Sequence, residues 1–490
     1  MGIELTQSDF GPADYASFQQ KLSENLAQLQ CVLSQPDFGE GAPSLGAELE
    51  LYLVDDSGQP AFLNQEIHQR CKDPQLTLEL NRYNLEYNLS PCALAASPLE
   101  AMEAEMVSAV HTVDAVGRDM GGSTVAIGIL PTLSPSDFGV HSITERRRYR
   151  ALMAQLVKRR GDAFEIDING LDPLHMAQAD IALEGANTSF QVHYRVSPAQ
   201  FANTFNAVQL VTPLVLAVAA NSPTLFGHRL WRETRIPLFQ QSIDTRVRDR
   251  YAWNEPARVN FGHGWVRDGA FELFSEAVRV YPPLLPQCGS ESIDDASAAP
   301  ALDELRLHQS TIWLWNRPVY DPVAGGHLRI EMRALPAGPS PVDMMANTAL
   351  MLGLTEAFRT RVDELLPAIP FNVAEYNFYR AAQYGLDARL VWPGRSQFGC
   401  VERPVREVFE QVLPIAREGL LAIGMSASSS DRYLAIIEQR LALGRSGADW
   451  QLASVARREA QTNAREALRH MLADYMRYSN ENRPVHAWPL

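Results

Sequence analysis

The stretch SLGAELELYLV, residues 44–54, alternates apolar and polar side chains. Residues two apart share one face of a β-strand. Leu45, Ala47, Leu49, Leu51 and Leu53 therefore form one side, and Glu48 and Glu50 the other. Three further stretches read the same way: NLEYNL (84–89), SFQVHYRV (189–196) and HLRIEMRAL (327–335). Their apolar sides are Leu85/Tyr87/Leu89, Phe190/Val192/Tyr194/Val196 and Leu328/Ile330/Met332/Ala334. Their polar sides carry Asn84/Glu86/Asn88, Gln191/His193/Arg195 and Arg329/Glu331/Arg333. Placed in one sheet, the four strands give it a buried apolar side and an open side of carboxylates, one histidine and arginines. That set of donors suits divalent cations together with a phosphorylated ligand.

Three of these strands lead into a Ser-Pro pair: Ser97-Pro98-Leu99-Glu100, Ser197-Pro198-Ala199-Gln200 and Ser340-Pro341-Val342-Asp343. Serine as N-cap, proline in the first turn and Glu or Gln at the third position predict helix starts, with Asp343 the weaker substitute. A helix over 15–33 is predicted from Phe18, Leu22, Leu26, Leu29 and Leu33. The apolar run 205–220 is interrupted by Asn206, Gln209, Thr212 and Pro213 and is short for a membrane span of ~20 residues, so it reads as a buried helix. Loops are expected at 130–141 and 282–300. From 372 onward, 413–423, 431–443 and 450–478 have helical spacing. The fold class is α+β, with helices covering the apolar side of a largely antiparallel sheet. Residues 372–490 form a helical tail packed on the rest, also suited to a homo-oligomer interface.

The 490 residues are 46% hydrophobic and 21% charged, which supports a substantial core. A formal charge of −15 argues against a general nucleic-acid binder and an anionic membrane surface, while leaving room for a local basic pocket. Cys31, Cys71, Cys92, Cys288 and Cys400 lack pair spacing, and the N-terminus shows no basic-then-apolar leader, so a cytoplasmic location is expected. GxxxxGK[ST], GxGxxG after a strand, GxSxG and HExxH are all missing. An ATP user here needs a different architecture.

Each polar motif has a plain reading beside the chemical one. Glu48 and Glu50, ~6.7 Å apart along a strand, suit one or two Mg²⁺ ions or simply a wet strand face. Asn-Glu-Asn around Glu86 is unusual because Asn is depleted in strands, but a surface strand near a turn explains it equally. His193 is a metal or phosphate contact or a structural histidine. The small, polar turn at 185–189, containing Asn187, offers backbone N–H groups to an anion. Arg329, Glu331 and Arg333 are phosphate-binding forks or a cross-strand ion-pair ladder. Arg229, Arg232 and Arg235, spaced by three at a helix start, share a face that reaches an acidic substrate or forms a solvated stripe.

Six segments then occur in a telling order: GAELELYLVD (46–55), LEYNLSP (85–91), NTSFQVH (187–193), AANSPTLFGH (219–228), RIEMRALP (329–336) and YRAAQYGLDA (379–388). Together they resemble the bacterial glutamate–cysteine ligase and carboxylate–amine ligase family, which is related to glutamine synthetase. The resemblance implies an antiparallel sheet shaped as a funnel with helices outside it. It implies a glutamine synthetase-like catalytic domain at 1–371 and a helical region at 372–490. The implied reaction joins a carboxylate to an amine through an acyl phosphate, as in glutamate–cysteine ligation and glutathione biosynthesis. Implied cofactors are ATP and Mg²⁺, or Mn²⁺, and the implied partners are small amino-acid and amine substrates. The resemblance gives metal-ligand roles to Glu48, Glu50, Glu86, Glu331 and His193, and catalytic roles to Arg333, Glu331 and Arg329. Arg235, Arg232, Asn187 and Gln191 are the implied substrate contacts. Two departures stand out: related ligases often have His-x-His where this chain has Gln191-Val192-His193, and 228–241 reads HRLWRETRIPLFQQ. A phosphotransferase and a non-catalytic ATP or amino-acid sensor of the same fold remain alternatives.

Overall fold

All four alternating stretches become strands of a single sheet. In the computed structural model, which describes residues 5–94, 97–246, 253–289, 299–394 and 400–490, the sheet contains seven strands. They are β1 (Ser44–Asp55), β2 (Leu76–Leu78), β3 (Asn84–Ala93), β4 (Gly122–Val125), β5 (Phe190–Val196), β6 (Asn316–Asp321) and β7 (His327–Met332). The order is β6-β7-β5-β1-β3-β2, with β4 paired to the far end of β1, and every pairing is antiparallel. The register sets Glu50 opposite Glu86, Glu48 opposite Gln191, and His193 and Arg317 on either side of Glu331. The polar side chains thus line up across strands far apart in the chain. The sheet curls into a half-barrel with this face inside, so the expected α+β funnel is the observed fold.

The apolar faces read from the sequence are buried throughout. Helices cover them: α1 (Pro12–Leu33), α2 (Pro98–Arg118), α3 (Phe201–Ala219), α4 (Arg235–Ser242), α5 (Pro341–Arg359), α6 (Phe371–Tyr384), α7 (Val405–Ala422), α8 (Ala427–Leu443), α9 (Gly447–Glu459) and α10 (Ala464–Asn480). Asn316 of β6 donates to Gln209 (2.5 Å) and Thr212 (3.0 Å) on α3, and Tyr194 of β5 donates to Glu356 on α5 (2.8 Å). Among the described residues one stretch, Pro198–Ala219, is long and apolar enough to cross a membrane. The α3 helix within it is packed inside the protein.

The helix starts differ from expectation in an instructive way. Ser97 and Ser197 make no side-chain cap bond, and the second start begins as a 3₁₀ turn, Pro198–Gln200. Ser340 alone of the three caps with its side chain, accepting from the Asp343 N–H. Asp343, the weaker substitute by sequence, is held by more than the cap. It accepts from the Ser340 hydroxyl (2.7 Å) and pairs with Arg440 of α8 (2.7 Å), both buried. Removing one partner of a buried ion pair strands the other charge in a dry site. Arg440→Ala is therefore expected to cost about 3–5 kcal/mol, read as a lower urea midpoint at unchanged slope.

The tail docks closely. A Cβ on Gly353 of α5 would lie 2.3 Å from the Ala416 carbonyl oxygen, and one on Gly419 of α7 would lie 1.9 Å from that of Gly353. Only bare glycine backbones permit this crossing. The helix expected over 450–478 is two helices, because Asn463 caps a fresh start by accepting from the Glu466 N–H (3.0 Å). The 130–141 loop contains the 3₁₀ turn Pro135–Asp137 and most of a second, Val140–Ser142. Within the 282–300 loop, 290–298 lie outside the described residues, and Leu284 and Leu285 are buried rather than on a surface excursion.

Candidate active site

Two clusters of metal-capable groups sit on the concave face. Glu48 of β1, His193 of β5 and Glu331 of β7 bring one ligand atom each to within 4.8 Å of one another. Glu50 of β1, Glu86 of β3 and Glu79, just beyond β2, do the same. The alternation of β1 explains both clusters, since Glu48 and Glu50 share its face and each meets a different neighbouring strand. His193 Nε2 lies 3.0 Å from Glu48 Oε1, and its buried Nδ1 has no hydrogen-bond partner. In the second cluster, Glu86 accepts from Asn88 (2.9 Å) and Thr77 (3.0 Å), while Glu50 accepts from the Ser189 N–H (2.6 Å) and Gln191 Nε2 (3.0 Å).

Two arginines hold Glu331. Arg317 of β6 grips Glu331 with a bidentate fork, Nε at 2.6 Å and Nη2 at 3.0 Å. Arg333 donates to Glu331 Oε1 (2.5 Å) and to Gln191 Oε1. Gln191 thereby bridges the Glu50 carboxylate and the Arg333 guanidinium, with its amide N–H toward the anion and its carbonyl toward the cation. Unlike an imidazole, the Gln191 amide takes up no proton, so this link between unlike charges stays neutral. A cavity of about 690 Å³ opens over the first cluster, lined by Glu48, His193, Glu331, Arg317, Arg195 and Arg329 among others; Glu50, Glu79, Glu86 and Arg333 are not in its lining.

The two clusters differ electrostatically. Burial tends to raise the Glu48 carboxyl, but His193 overcomes it and holds the group down at about 2. Burial likewise opposes Glu331, and Arg317 and Arg333 outweigh it to keep the carboxyl well below its usual range. In the second cluster the shifts run upward. Burial, then Glu48 and Glu50, push Glu86 up to about 8. Burial and Glu86 push Glu79 well up, and burial raises Glu50 against the Ser189 N–H and Arg333. Glu184 nearby is also pushed up to about 8 by burial and Glu50, against Arg333. Converging buried carboxylates without enough neutralising charge fit a hard divalent cation, which takes oxygen ligands. The Glu50/Glu79/Glu86 cluster passes this test. At the other cluster a cation competes with two arginines for Glu331.

This arrangement fixes a pH response. In the unfolded chain these glutamates titrate near 4.5. Between about 4.5 and about 8 the metal-free native protein holds protons that the unfolded chain has lost. Stability therefore falls as pH rises through that window and levels off above it. The lowered Glu48 acts with the opposite sign, costing stability only as pH drops from 4.5 toward about 2. The metal-free protein is expected to melt lower at pH 8 than at pH 6, by an amount worth on the order of a few kcal/mol. Saturating Mg²⁺ narrows the gap by supplying positive charge in place of protons. Thermal melts at both pH values, with and without Mg²⁺, check this.

The other residues expected from sequence are placed as follows. Arg329 lines the cavity and pairs with Asp321 (2.5 Å). Arg235 is buried behind the clusters, donating to the Ala334 carbonyl (3.0 Å) and pairing with Glu233 (3.1 Å). Arg229, Arg232 and Arg235 do not share a helix face: Arg229 ends a two-residue strand and pairs with Asp172, and only Arg235 belongs to α4. Arg232 is turned to the tail, pairing with Asp449 (3.1 Å) and Asp387 (3.5 Å), so it does not join the cavity. In the 185–189 turn three amides are already engaged within the protein. Asn187, Thr188 and Ser189 donate their amides to Glu184 O, Gly128 O and Glu50, and the Asn187 side chain donates back to Leu183 O and Glu184 O. Sequence reasoning missed Glu79, Arg317 and Glu184. LTLEL at 76–80 alternates and puts Thr77 and Glu79 on one side; NRPVYD at 316–321 does the same for Arg317 and Asp321. Glu184 sits in a 3₁₀ turn and has no periodic signal.

Residues 44–253 match the family model of Glutamate-cysteine ligase family 2 (GCS2). The likeness to this ligase family lies in that span, under half of the chain. The matched span holds Glu48, Glu50, Glu79, Glu86, Gln191, His193 and Arg235, and β6 and β7 lie beyond it. Whole-length relatives extend the likeness. A protein of Frankia casuarinae provisionally named glutamate–cysteine ligase 2-1 is 23% identical over 463 residues, 92% of this chain and 98% of its own length. A protein of Mycolicibacterium vanbaalenii with the same provisional name is 25% identical over 405 residues, 80% of this chain and 87% of its own. Among solved structures, the glutamate–cysteine ligase of Francisella tularensis in complex with AMP superposes with a TM-score of 0.52 at 10% identity, covering 91% of this chain and 90% of that one. That likeness to a glutamate–cysteine ligase is one of fold.

Proposed function

We propose that the protein is an ATP-dependent carboxylate–amine ligase of the glutamate–cysteine ligase kind, using Mg²⁺ or Mn²⁺. Residues 1–371 serve as its catalytic domain and 372–490 as a helical region packed on it. The observation that carries this reading is the convergence, on one concave face, of two carboxylate clusters with Arg333 between them. Glu50, Glu79 and Glu86 would hold one divalent cation, and Glu48, His193 and Glu331 would hold a second where it displaces an arginine from Glu331. Such ions neutralise phosphate charge and align the transferred group.

Arg333, anchored by Glu331 and Gln191, presents its guanidinium to the oxygens of the transferred phosphoryl group. A substrate carboxylate oxygen bonds to the γ-phosphorus as the bridging P–O bond breaks and ADP leaves. The amine nitrogen then bonds to the acyl carbon, the acyl C–O bond breaks, phosphate departs with its electron pair, and the nitrogen gives up one proton to the departing phosphate or to solvent. Positioning is the main contribution of the chain's own residues. The names of the relatives make glutamate and cysteine the first pair to try. The free state of all five cysteines fits a reducing cytoplasm.

The test is ADP release across amino-acid and amine pairs with Mg²⁺ or Mn²⁺, with mass spectrometry of the product. The reading expects release that needs both partners and a product equal to their sum less one water. ADP release that ignores the amine marks a phosphotransferase. ATP binding without release over a broad panel marks a sensor.

A further inference from the structure

Two residues along the strands from Glu331 and His193, two cations face each other. Arg329 of β7 and Arg195 of β5 are direct cross-strand partners, and both line the cavity. Like charges directly opposite on paired strands destabilise a sheet. Compensation here is incomplete. Among the described residues, Arg329 has Asp321 at 2.5 Å and His327 Nε2 at 3.3 Å, whereas Arg195 donates Nη2 only to the backbone carbonyl of Glu40 (2.8 Å). The Nε of each is buried and makes no hydrogen bond. Arg306, on the helix Asp303–Gln309, lines the same cavity, with its paired Asp303 at 3.5 Å. His327 also lines it, and burial together with Arg329 lowers its pKa, so the ring adds neither a charge nor a counter-ion.

We propose that Arg195 and Arg329 form an oxyanion clamp, a subsite separate from the metal clusters that receives a phosphate or carboxylate group of a substrate. Two opposed guanidinium groups with one acidic partner between them have one simple complement, an anion with several acceptor oxygens reached by their outer N–H groups. Its place along the strands limits what reaches it. Arg329 is two residues from Glu331 and four from Arg333, ~7 and ~13 Å along the strand. A group activated at Arg333 cannot also fill the clamp. The occupant is either an inner phosphate of the nucleotide, lying outward from its γ-phosphoryl, or the carboxylate of the second substrate. As an assignment of a substrate group this rests on the ligase reading; as an anion site it does not.

The experiment has two stages on the full chain. Pyrophosphate is first titrated by calorimetry in EDTA, where the carboxylate clusters repel it. The wild type is expected to bind, and Arg195→Gln to bind about 10–100-fold more weakly, with Arg195→Lys between them. Absence of binding to the wild type, or equal binding to the glutamine variant, overturns the clamp whether or not any ligase activity is found. Arg195→Lys keeps the test decisive if the glutamine variant folds poorly: an affinity equal to wild type overturns the bidentate site. The second stage compares ADP with adenosine, and the amine substrate with its carboxyl methyl ester, in both proteins. The occupant is the pair whose anion-over-neutral preference falls about tenfold in Arg195→Gln. Two preferences left intact overturn the assignment to a substrate group.

Discussion

Glu50→Gln is expected to lower Mg²⁺-dependent ATP turnover by at least ~10²–10³-fold without lowering the melting temperature of the metal-free protein. Glu50 lies where three carboxylates converge, and its two oxygens accept from Ser189 N–H and Gln191 Nε2. The amide keeps one carbonyl acceptor for Ser189 and the same volume. It loses the charge that a cation needs, and its NH₂ group confronts Gln191 Nε2. The lost hydrogen bond costs about 1 kcal/mol, while relief of repulsion on Glu79 and Glu86 acts the other way. Lost turnover in a protein of undiminished stability is the signature of a ligand residue. Near-normal turnover contradicts the metal role.

Arg333→Lys is expected to lower turnover by a similar ~10²–10³-fold, again in a folded protein. Arg333 spans Glu331 and Gln191 with one planar group. An ammonium is a point charge on a flexible stem and cannot keep both contacts while facing a third group of oxygens. Glu331 retains the Arg317 fork, so the sheet is not left with an unpaired buried carboxylate. Steady-state ADP release with a thermal melt on the same sample separates the two effects. Equal loss of melting temperature and turnover would assign Arg333 a structural part only.

Period-two alternation made the core of the site legible in the sequence. Glu48, Glu50, Glu86, Gln191, His193, Arg329, Glu331 and Arg333 were all read onto polar strand faces, and the register brings those faces into one concavity. Arg317 and Glu79 are equally periodic but sit on a six-residue strand that contains Pro318 and just beyond a strand of three residues. Signals that short are lost among loops. The arginines at 229, 232 and 235 failed for the opposite reason: spacing by three suits a helix, but only Arg235 is helical there. The capping pattern at Ser97 and Ser197 promised bonds that tertiary context did not make, while Asp343, the poorest match, is fixed by Arg440 nearly a hundred residues away. Local periodicity locates faces; ion pairs between distant elements are set by packing that sequence spacing does not encode.

The account depends on the concave face being a metal-binding centre. Anomalous diffraction at the manganese edge from crystals grown with saturating Mn²⁺ addresses this directly. A peak bounded by Glu50, Glu79 and Glu86, strengthened by a second near Glu48 and His193 when nucleotide is added, is the predicted result. Density confined to other parts of the molecule, or none within reach of either cluster, would contradict it.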